Sequence, residues 1–561
     1  MALNERIPTD VDRIAEQWVD TAVELNPTLG TYIGRAESDS RFGDYSPEGL
    51  ERSAEAVRRT IAALDAATPV DEVDIVTVAD LRSELVLDLE SHEAGLPLRN
   101  LNVIASPAQE LRDVFDLMST EGPDDWATIS TRLAALPAAL DGYIETLRLG
   151  IERGVVPAKR QVREVAAQAR KHERSDGFFG EFVGGAPESL PDALRRDLDA
   201  RAQGAGAAYG RLAEFLEQEL LPSAGERDAV GREHYALQSR RFLGAVIDLD
   251  ETYEWGIEEL ARMVAEQEAI AKEILRGAPS AGSGNVVAEA IAFLDGDPSR
   301  KLHGTDALQR WMQETSDRAV AELGATQFDI PAEIRTLECL IAPTQEGGIY
   351  YTGPTDDFSR PGRMWWSVPE GVTEFDTWRE LTTVYHEGMP GHHLQIGQAV
   401  VNRGKLNTWR RQLAGTSGHA EGWALYAERL MQELGYLDDP ADRLGMLDGQ
   451  RMRAARVVLD IGVHLGKQRP DGEGAWTGEY AYEFLRGNVN MNDGFVRFEV
   501  NRYLGWPGQA PSYKVGQRIW EQLRDEFRRR EGDAFDIREF HRRALDLGGV
   551  GLDTLRSALL G

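Results

Sequence analysis

Residues 382–397 read "TTVYHEGMPGHHLQIG" and hold three of the chain's ten histidines within eight positions. The stretch opens as a zinc-binding helix opens, with His386 and Glu387 adjacent. A zinc clamp on a continuous helix places its second His four residues after the first, because residues four apart share a face. Here that position is Pro390, and the histidines arrive as His392 and His393. On an unbroken axis they would stand about 9 and 11 Å beyond His386, too far to share one ion at about 2 Å per ligand. Pro390, however, removes a backbone donor and clashes with the preceding turn, while Gly388 and Gly391 permit unusual backbone angles. The sequence therefore predicts a helix that breaks at Gly388–Gly391 and returns a late histidine, 392 or 393, to His386. A single straight helix through Pro390 would leave no site.

The elements around the motif extend this reading. Asp376 is placed to cap the entering helix, with Trp378, Leu381 and Tyr385 as its buried stripe. Glu387, beside His386, is the candidate general base for a metal-bound water. A third ligand must come from another helix. "GTSGHAEGWALYAERLMQ" (415–432) offers Glu421 and Glu428, seven residues apart and so on one face. Glu421 is the candidate ligand; Glu428, two turns on, supports the site or pairs with an Arg.

Composition narrows the chemistry. With Cys339 as the single cysteine, thiolate metal sites and an internal disulfide framework are excluded, so an ion must be held by His and carboxylate. Cys339 itself lies in the apolar run "IRTLECLIAP" and reads as a small core residue. The 62 basic and 94 acidic residues leave a net charge of −32, which opposes nucleic-acid binding. No run of about 18 apolar residues suggests a membrane span. The charged opening "MALNERIPTDVDRIAEQ" does not read as a signal peptide, so a cytoplasmic location is expected.

Most of the chain carries helical periodicity. Residues 9–26 place Val11, Ile14, Trp18, Ala22 and Leu25 at spacings of three and four, and similar patterns occupy 130–154, 193–221 and 251–277. "APSAGSGN" (278–285) reads as a flexible loop. Near residue 330 the character changes to short β-branched and aromatic runs, "IRTLECLIAPTQEGGIYYTGP" and "GRMWWSVP", which predict a small sheet. The expectation is a mainly α protein: a helical portion over 1–330, a β insert over 331–370 and a helical catalytic portion over 371–561, built as one compact architecture.

Further candidates follow the motif. Tyr513, in "GWPGQAPSYKVGQ", could donate its phenol to an oxyanion, with Tyr503 in reserve. Arg453, Arg456 and Lys514 could grip a substrate carboxylate, although the two arginines read first as partners of acids on a helix face. His419 and His464 could orient ligands or substrate. "GGIYYTGP" could bind an extended peptide by strand addition.

"YHEGMPGHHLQ", "HAEGWALYAERL", "RMRAARVVLDIGVH" and "RYLGWPGQAPSYKVGQ" together resemble the bacterial DUF885 family, most specifically over residues 330–530. That family is similar in fold to the M32 carboxypeptidases, helical zinc metallopeptidases of gluzincin type. The peptidases carry His-Glu-x-Gly-His and a later His-Glu segment that gives the third ligand. Matching the Gly-His pairs implies His392 as second ligand, with two residues inserted, and matching "GHAEG" implies Glu421. The resemblance implies a metallopeptidase with one Zn2+ per chain and a peptide substrate. A non-catalytic metal- or peptide-binding protein on the same scaffold is the alternative, favoured by a closed shell of His386, His392, His393 and Glu421. The oligomeric state stays open, a homodimer included.

Overall fold

The computed structural model describes residues 6–276, 284–324, 326–343 and 348–561. Helices dominate, as the periodicity predicts. The first, Asp10–Leu25, starts in a reciprocal capping box between Thr9 and Asp12. Its buried face is rotated from the sequence stripe: Val11, Ala15, Trp18, Val19 and Val23 are buried, whereas Ile14, Ala22 and Leu25 are half-buried. The helices Pro123–Arg153, Asp192–Phe215 and Leu249–Ile274 cover most of the predicted patterns at 130–154, 193–221 and 251–277. Most of the 278–285 loop lies outside the described residues.

Five short strands are present among the described residues: β1 (Lys301–His303), β2 (Leu337–Ile341), β3 (Ile349–Thr352), β4 (Gly362–Trp366) and β5 (Glu374–Asp376). β4 is central in a three-stranded sheet, parallel to β2 and antiparallel to β3. β1 and β5 form a separate antiparallel pair outside the 331–370 insert. Cys339, on β2, is buried, in accord with its core reading. The backbone of β2 is capped by the helix Thr305–Leu323, whose Gln313 side chain accepts from Cys339 N at 3.0 Å and donates to Leu337 O at 2.8 Å. The outer edge of β3 has no strand partner among the described residues.

Apolar burial gathers in clusters that cross the sequence. One joins Leu133, Leu140, Leu147, Tyr209 and Leu212. The largest takes residues from both sides of 330, including Met263, Trp378, Trp423, Leu459 and Trp520. A third packs the N-terminal helices around Trp409. Hydrogen bonds tie the same regions together: Asn407 Nδ2 donates to Asp12 at 3.1 Å, and Gly551 N to the buried Asp80 at 2.8 Å. No helix among the described residues is long and apolar enough to cross a membrane.

Candidate metal centre

The motif breaks where Pro390 and its glycines predict. One helix runs Thr377–Glu387 and the next starts at His392, with a turn of four residues between them. Trp378, Leu381 and Tyr385 are the buried stripe of the first helix. Asp376 occupies its N-cap position without a side-chain cap bond, because its carboxylate is drawn to Lys301 Nζ at 2.9 Å across the β1–β5 pair. In the turn, Gly391 N donates to Tyr385 O at 3.0 Å and His393 N to Gly388 O at 3.2 Å. A Cβ on Gly391 would stand 1.8 Å from the His386 carbonyl oxygen, so only glycine fits there. Trp423 braces the turn from another helix, donating its indole N–H to Pro390 O at 2.9 Å and Gly391 O at 3.2 Å. The result sets the His386 and His392 rings 4.9 Å apart and perpendicular at 89°.

Glu421 comes to this pair from the helix Ser417–Glu433. That helix packs tightly on Ser512–Glu531: a Cβ on Gly422 would stand 2.5 Å from the Gly516 backbone. Glu421 Oε2 lies 3.3 Å from His386 Nε2 and 3.7 Å from His392 Nε2. One ligand atom from each of the three residues falls within 4.8 Å of the others, the one such His/Cys/Asp/Glu cluster among the described residues. Glu421 Oε2 is buried and has no hydrogen-bond partner. Such an atom costs free energy unless something satisfies it, and a cation bridging the three atoms would do so. Two imidazoles and one carboxylate form a donor set suited to zinc, and three protein ligands are the number a catalytic zinc takes. The Glu421 side chain retains 23% of its exposure, leaving an approach from solvent.

A polar chain holds His386 from behind. Its Nδ1 donates to Glu428 Oε1 at 2.7 Å, which presents the Nε2 lone pair to the cluster. Glu428 Oε2 accepts from Gln450 Nε2 at 3.1 Å, and Gln450 Oε1 accepts from Lys514 Nζ at 2.7 Å. Lys514 also pairs with Glu259 at 3.0 Å. Burial disfavours the charged forms here. Facing the two imidazoles nevertheless holds the Glu421 carboxylate well below the usual range, and two facing carboxylates raise His386.

Three further groups border the cluster. Glu387 is buried and its carboxylate makes no hydrogen bond among the described residues; burial pushes it up, with His392 and His386 opposing. Tyr513 is pushed up to about 12 by burial and the Glu421 charge, so its phenol keeps its proton at neutral pH. Arg453 lies with its guanidinium 5.8 Å from the Tyr513 ring centroid, and its charge acts on Glu387 and Glu428. Its Nε is buried without a partner.

The other sequence candidates are engaged elsewhere. His393 is excluded from the cluster: Nδ1 meets Tyr351 OH at 2.9 Å and Nε2 meets Ile334 O at 2.8 Å. His419 packs 5.4 Å from the Trp520 ring, and its Nδ1 lies 3.2 Å from Gln395 Nε2. His464 Nε2 bonds Tyr503 O at 3.0 Å, beside Tyr235. Arg456 is paired with Glu499 at 2.8 Å and donates to Tyr503 OH at 2.6 Å, while Tyr503 donates to Glu499. Neither Arg456 nor Tyr503 is therefore free for substrate, and Lys514 is consumed by the chain behind His386. Sequence reasoning missed Trp423 and Gln450. Trp423, two residues after Glu421, carries a signal only once the turn is known to expose two carbonyls.

This is a mainly helical protein with a largely buried His–His–Glu cluster at a helix break. The family described as "Bacterial protein of unknown function (DUF885)" matches residues 27–559, and the chain belongs to it. Two solved structures share the fold. One, described as a "putative lipoprotein" from Colwellia psychrerythraea, has a TM-score of 0.81 at 22% identity, covering 99% of each chain. The other, a "putative lipoprotein of unknown function" from Shewanella oneidensis, has a TM-score of 0.76 at 17% identity, covering 99% of this chain and 100% of that one. Comparison with curated proteins finds no match.

Proposed function

We propose that this protein is a zinc-dependent hydrolase of peptide bonds, its catalytic helices arranged as in the M32 carboxypeptidases. What carries the reading is Glu421 Oε2, buried without a donor between His386 Nε2 and His392 Nε2. These three residues would hold the ion, which when bound polarises a carbonyl and acidifies water. Glu387 takes a proton from the attacking water and passes it to the leaving nitrogen, a role suited to a carboxyl raised by burial. The Tyr513 phenol donates to the developing oxyanion. Glu428 fixes the His386 tautomer.

Arg453 favours removal of C-terminal residues, since a guanidinium beside Tyr513 without an acid partner suits a terminal carboxylate. The open edge of β3 supports strand addition by the rest of the peptide, because Tyr351 on β3 touches His393, next to the cluster. A cytoplasmic setting is part of the proposal. The lipoprotein descriptions of the two solved relatives make a membrane-surface location the competing outcome of cell fractionation.

The test is metal analysis with peptide cleavage on wild type and Glu387→Gln, using peptides with free and amidated C-termini. Wild type should hold one zinc and cleave the free peptide. The variant should hold zinc and lose at least a hundredfold in kcat, within the usual range for general-base removal, about 10²–10⁴. A zinc-loaded variant with full activity sinks the mechanism; a zinc-loaded wild type that cleaves no peptide sinks the hydrolase reading.

A further inference from the structure

One opening that the candidate metal site does not explain lies away from it. It is a cavity of about 460 Å³ where the turn Leu96–Arg99 and the loop after it face the helix Arg232–Leu243 and the segment Leu504–Pro507. Its volume is that of a small-molecule site. It does not share walls with the His–His–Glu cluster. His464, whose charge bears on His234 in the cavity wall, sits fourteen residues beyond Gln450 on the helix Pro440–Leu465. That separation is about 21 Å of helix axis.

Arg99, His234 and the Gln161 carbonyl oxygen lie in its wall without a hydrogen-bond partner among the described residues. Arg99 makes no side-chain hydrogen bond or ion pair, and burial lowers its guanidinium; of the two carboxylates in the wall, Asp228 is paired with Arg160 at 3.0 Å and Glu110 is pushed up by burial, toward its neutral form. His234 is pushed down to about 3 by burial, with the Arg99 and His464 charges adding to the effect, so Arg99 and His234 are electrostatic neighbours. Gln161 is 2% exposed; its amide N–H bonds Asn501 O at 2.8 Å, yet its Oε1 has no donor. In a chain with 94 acidic residues against 62 basic ones, shortage of carboxylates does not explain an unpaired arginine. An arginine keeps its charge at neutral pH, so partial burial without a counter-charge is unfavourable until an anion arrives. Trp506 and Phe242 supply an apolar wall, with rings 5.4 Å apart at 89°.

We propose that this cavity is a second binding site, for a small organic acid. Arg99 grips its carboxylate or phosphate, His234 adds a hydrogen bond, and a donor on the ligand reaches Gln161 Oε1. The Trp506–Phe242 wall takes the apolar remainder. Arginine suits this task because its planar fork matches either oxyanion. The site stands whether or not the metal centre is catalytic.

The test is calorimetric titration of the full chain with inorganic phosphate and, separately, 4-hydroxybenzoate, which adds a ring and a donor to a carboxylate. One site per chain is expected for at least one probe, and the stronger probe identifies the oxyanion. Arg99→Ala should weaken that binding at least tenfold, with Arg99→Gln as the second variant and circular dichroism as the check on folding. Glu421→Ala should leave it unchanged. The proposal is overturned if neither probe binds wild type below about 10 mM, if either folded Arg99 variant binds as wild type does, or if Glu421→Ala abolishes binding.

Discussion

Replacing Glu428 with Gln probes the candidate site through a residue outside the His386–His392–Glu421 cluster. Glu428 is acceptor at both ends, taking His386 Nδ1–H at 2.7 Å and Gln450 Nε2 at 3.1 Å. The amide of Glu428→Gln turns one of those oxygens into a donor. Turned toward His386, it opposes Nδ1–H; turned toward Gln450, it opposes a second amide N–H. Gln450 cannot flip to relieve this, because its Oε1 is fixed by the Lys514 ammonium at 2.7 Å. If His386 instead shifts its proton to Nε2, the nitrogen facing Glu421 loses the lone pair a ligand needs. Each escape costs a hydrogen bond or the ligand itself, and the charge assistance is lost in all of them. Partners of this kind are worth roughly 10- to 100-fold in metal affinity, about 1.4–2.8 kcal/mol. Zinc affinity measured by competition with a chromophoric chelator at fixed pH should fall by that factor while the thermal transition stays cooperative. A folded variant binding zinc within twofold of wild type would refute the argument that Glu428 orients His386.

Other perturbations reach different parts of the molecule. Gly391→Ala should lower stability by roughly 3 kcal/mol or more and abolish zinc binding, since its Cβ would stand 1.8 Å from His386 O; an unchanged Tm would contradict the turn geometry. Arg453→Met should raise KM at least tenfold for peptides with a free C-terminus and leave amidated peptides unaffected, so an equal effect on both removes the carboxylate role. His541 is buried and pushed down to about 4 from 6.5, burial outweighing its bond to the Gln327 carbonyl. Between those values the unfolded chain binds more protons, so stability falls as pH falls from 6.5 through 4, by at most about 3 kcal/mol from this residue. Urea unfolding at pH 7 and pH 4.5 should show a smaller pH-dependent loss in His541→Gln than in wild type; parallel losses would reject the assignment.

Local chemistry was legible in the sequence wherever one or two residues decide it. Pro390 flanked by Gly388 and Gly391 marks a break, and the helix ends at Glu387, whereas Pro137, without such glycines beside it, is carried inside Pro123–Arg153. Glu421 and Glu428 share a face because seven residues are nearly two turns, and both reach His386. Spacing alone left the choice between His392 and His393 open, and only the family resemblance pointed to His392, because Tyr351 OH and Ile334 O decide it. They lie 42 and 59 positions away in sequence and claim both His393 nitrogens. The same holds for Arg456, which has the spacing of a substrate anchor but is neutralised by Glu499 from another helix. In the first helix, too, the buried face answers to a distant partner: Trp18 and Val19 pack in the cluster around Trp409, a contact helical periodicity cannot anticipate.

The two extra residues between the histidines do not keep their rings apart, because the chain breaks its helix between them. On a straight helix His392 would sit about 9 Å along the axis from His386; after the turn its ring centre is 4.9 Å away. The reversal exposes the Pro390 and Gly391 carbonyls, and the residue that satisfies them, Trp423, stands two positions after Glu421 on the same helix. The turn and the third candidate ligand are thus fastened to each other by one indole. A change that loosens the turn must also shift Glu421, so the candidate site should fail as a unit, not ligand by ligand. Trp423→Phe separates this from independent placement, because it leaves every proposed ligand in the sequence and removes only the fastening. Under the coupled arrangement it weakens zinc binding at least tenfold; under independent placement it costs only about 1 kcal/mol of stability for the lost hydrogen bonds and leaves zinc affinity unchanged.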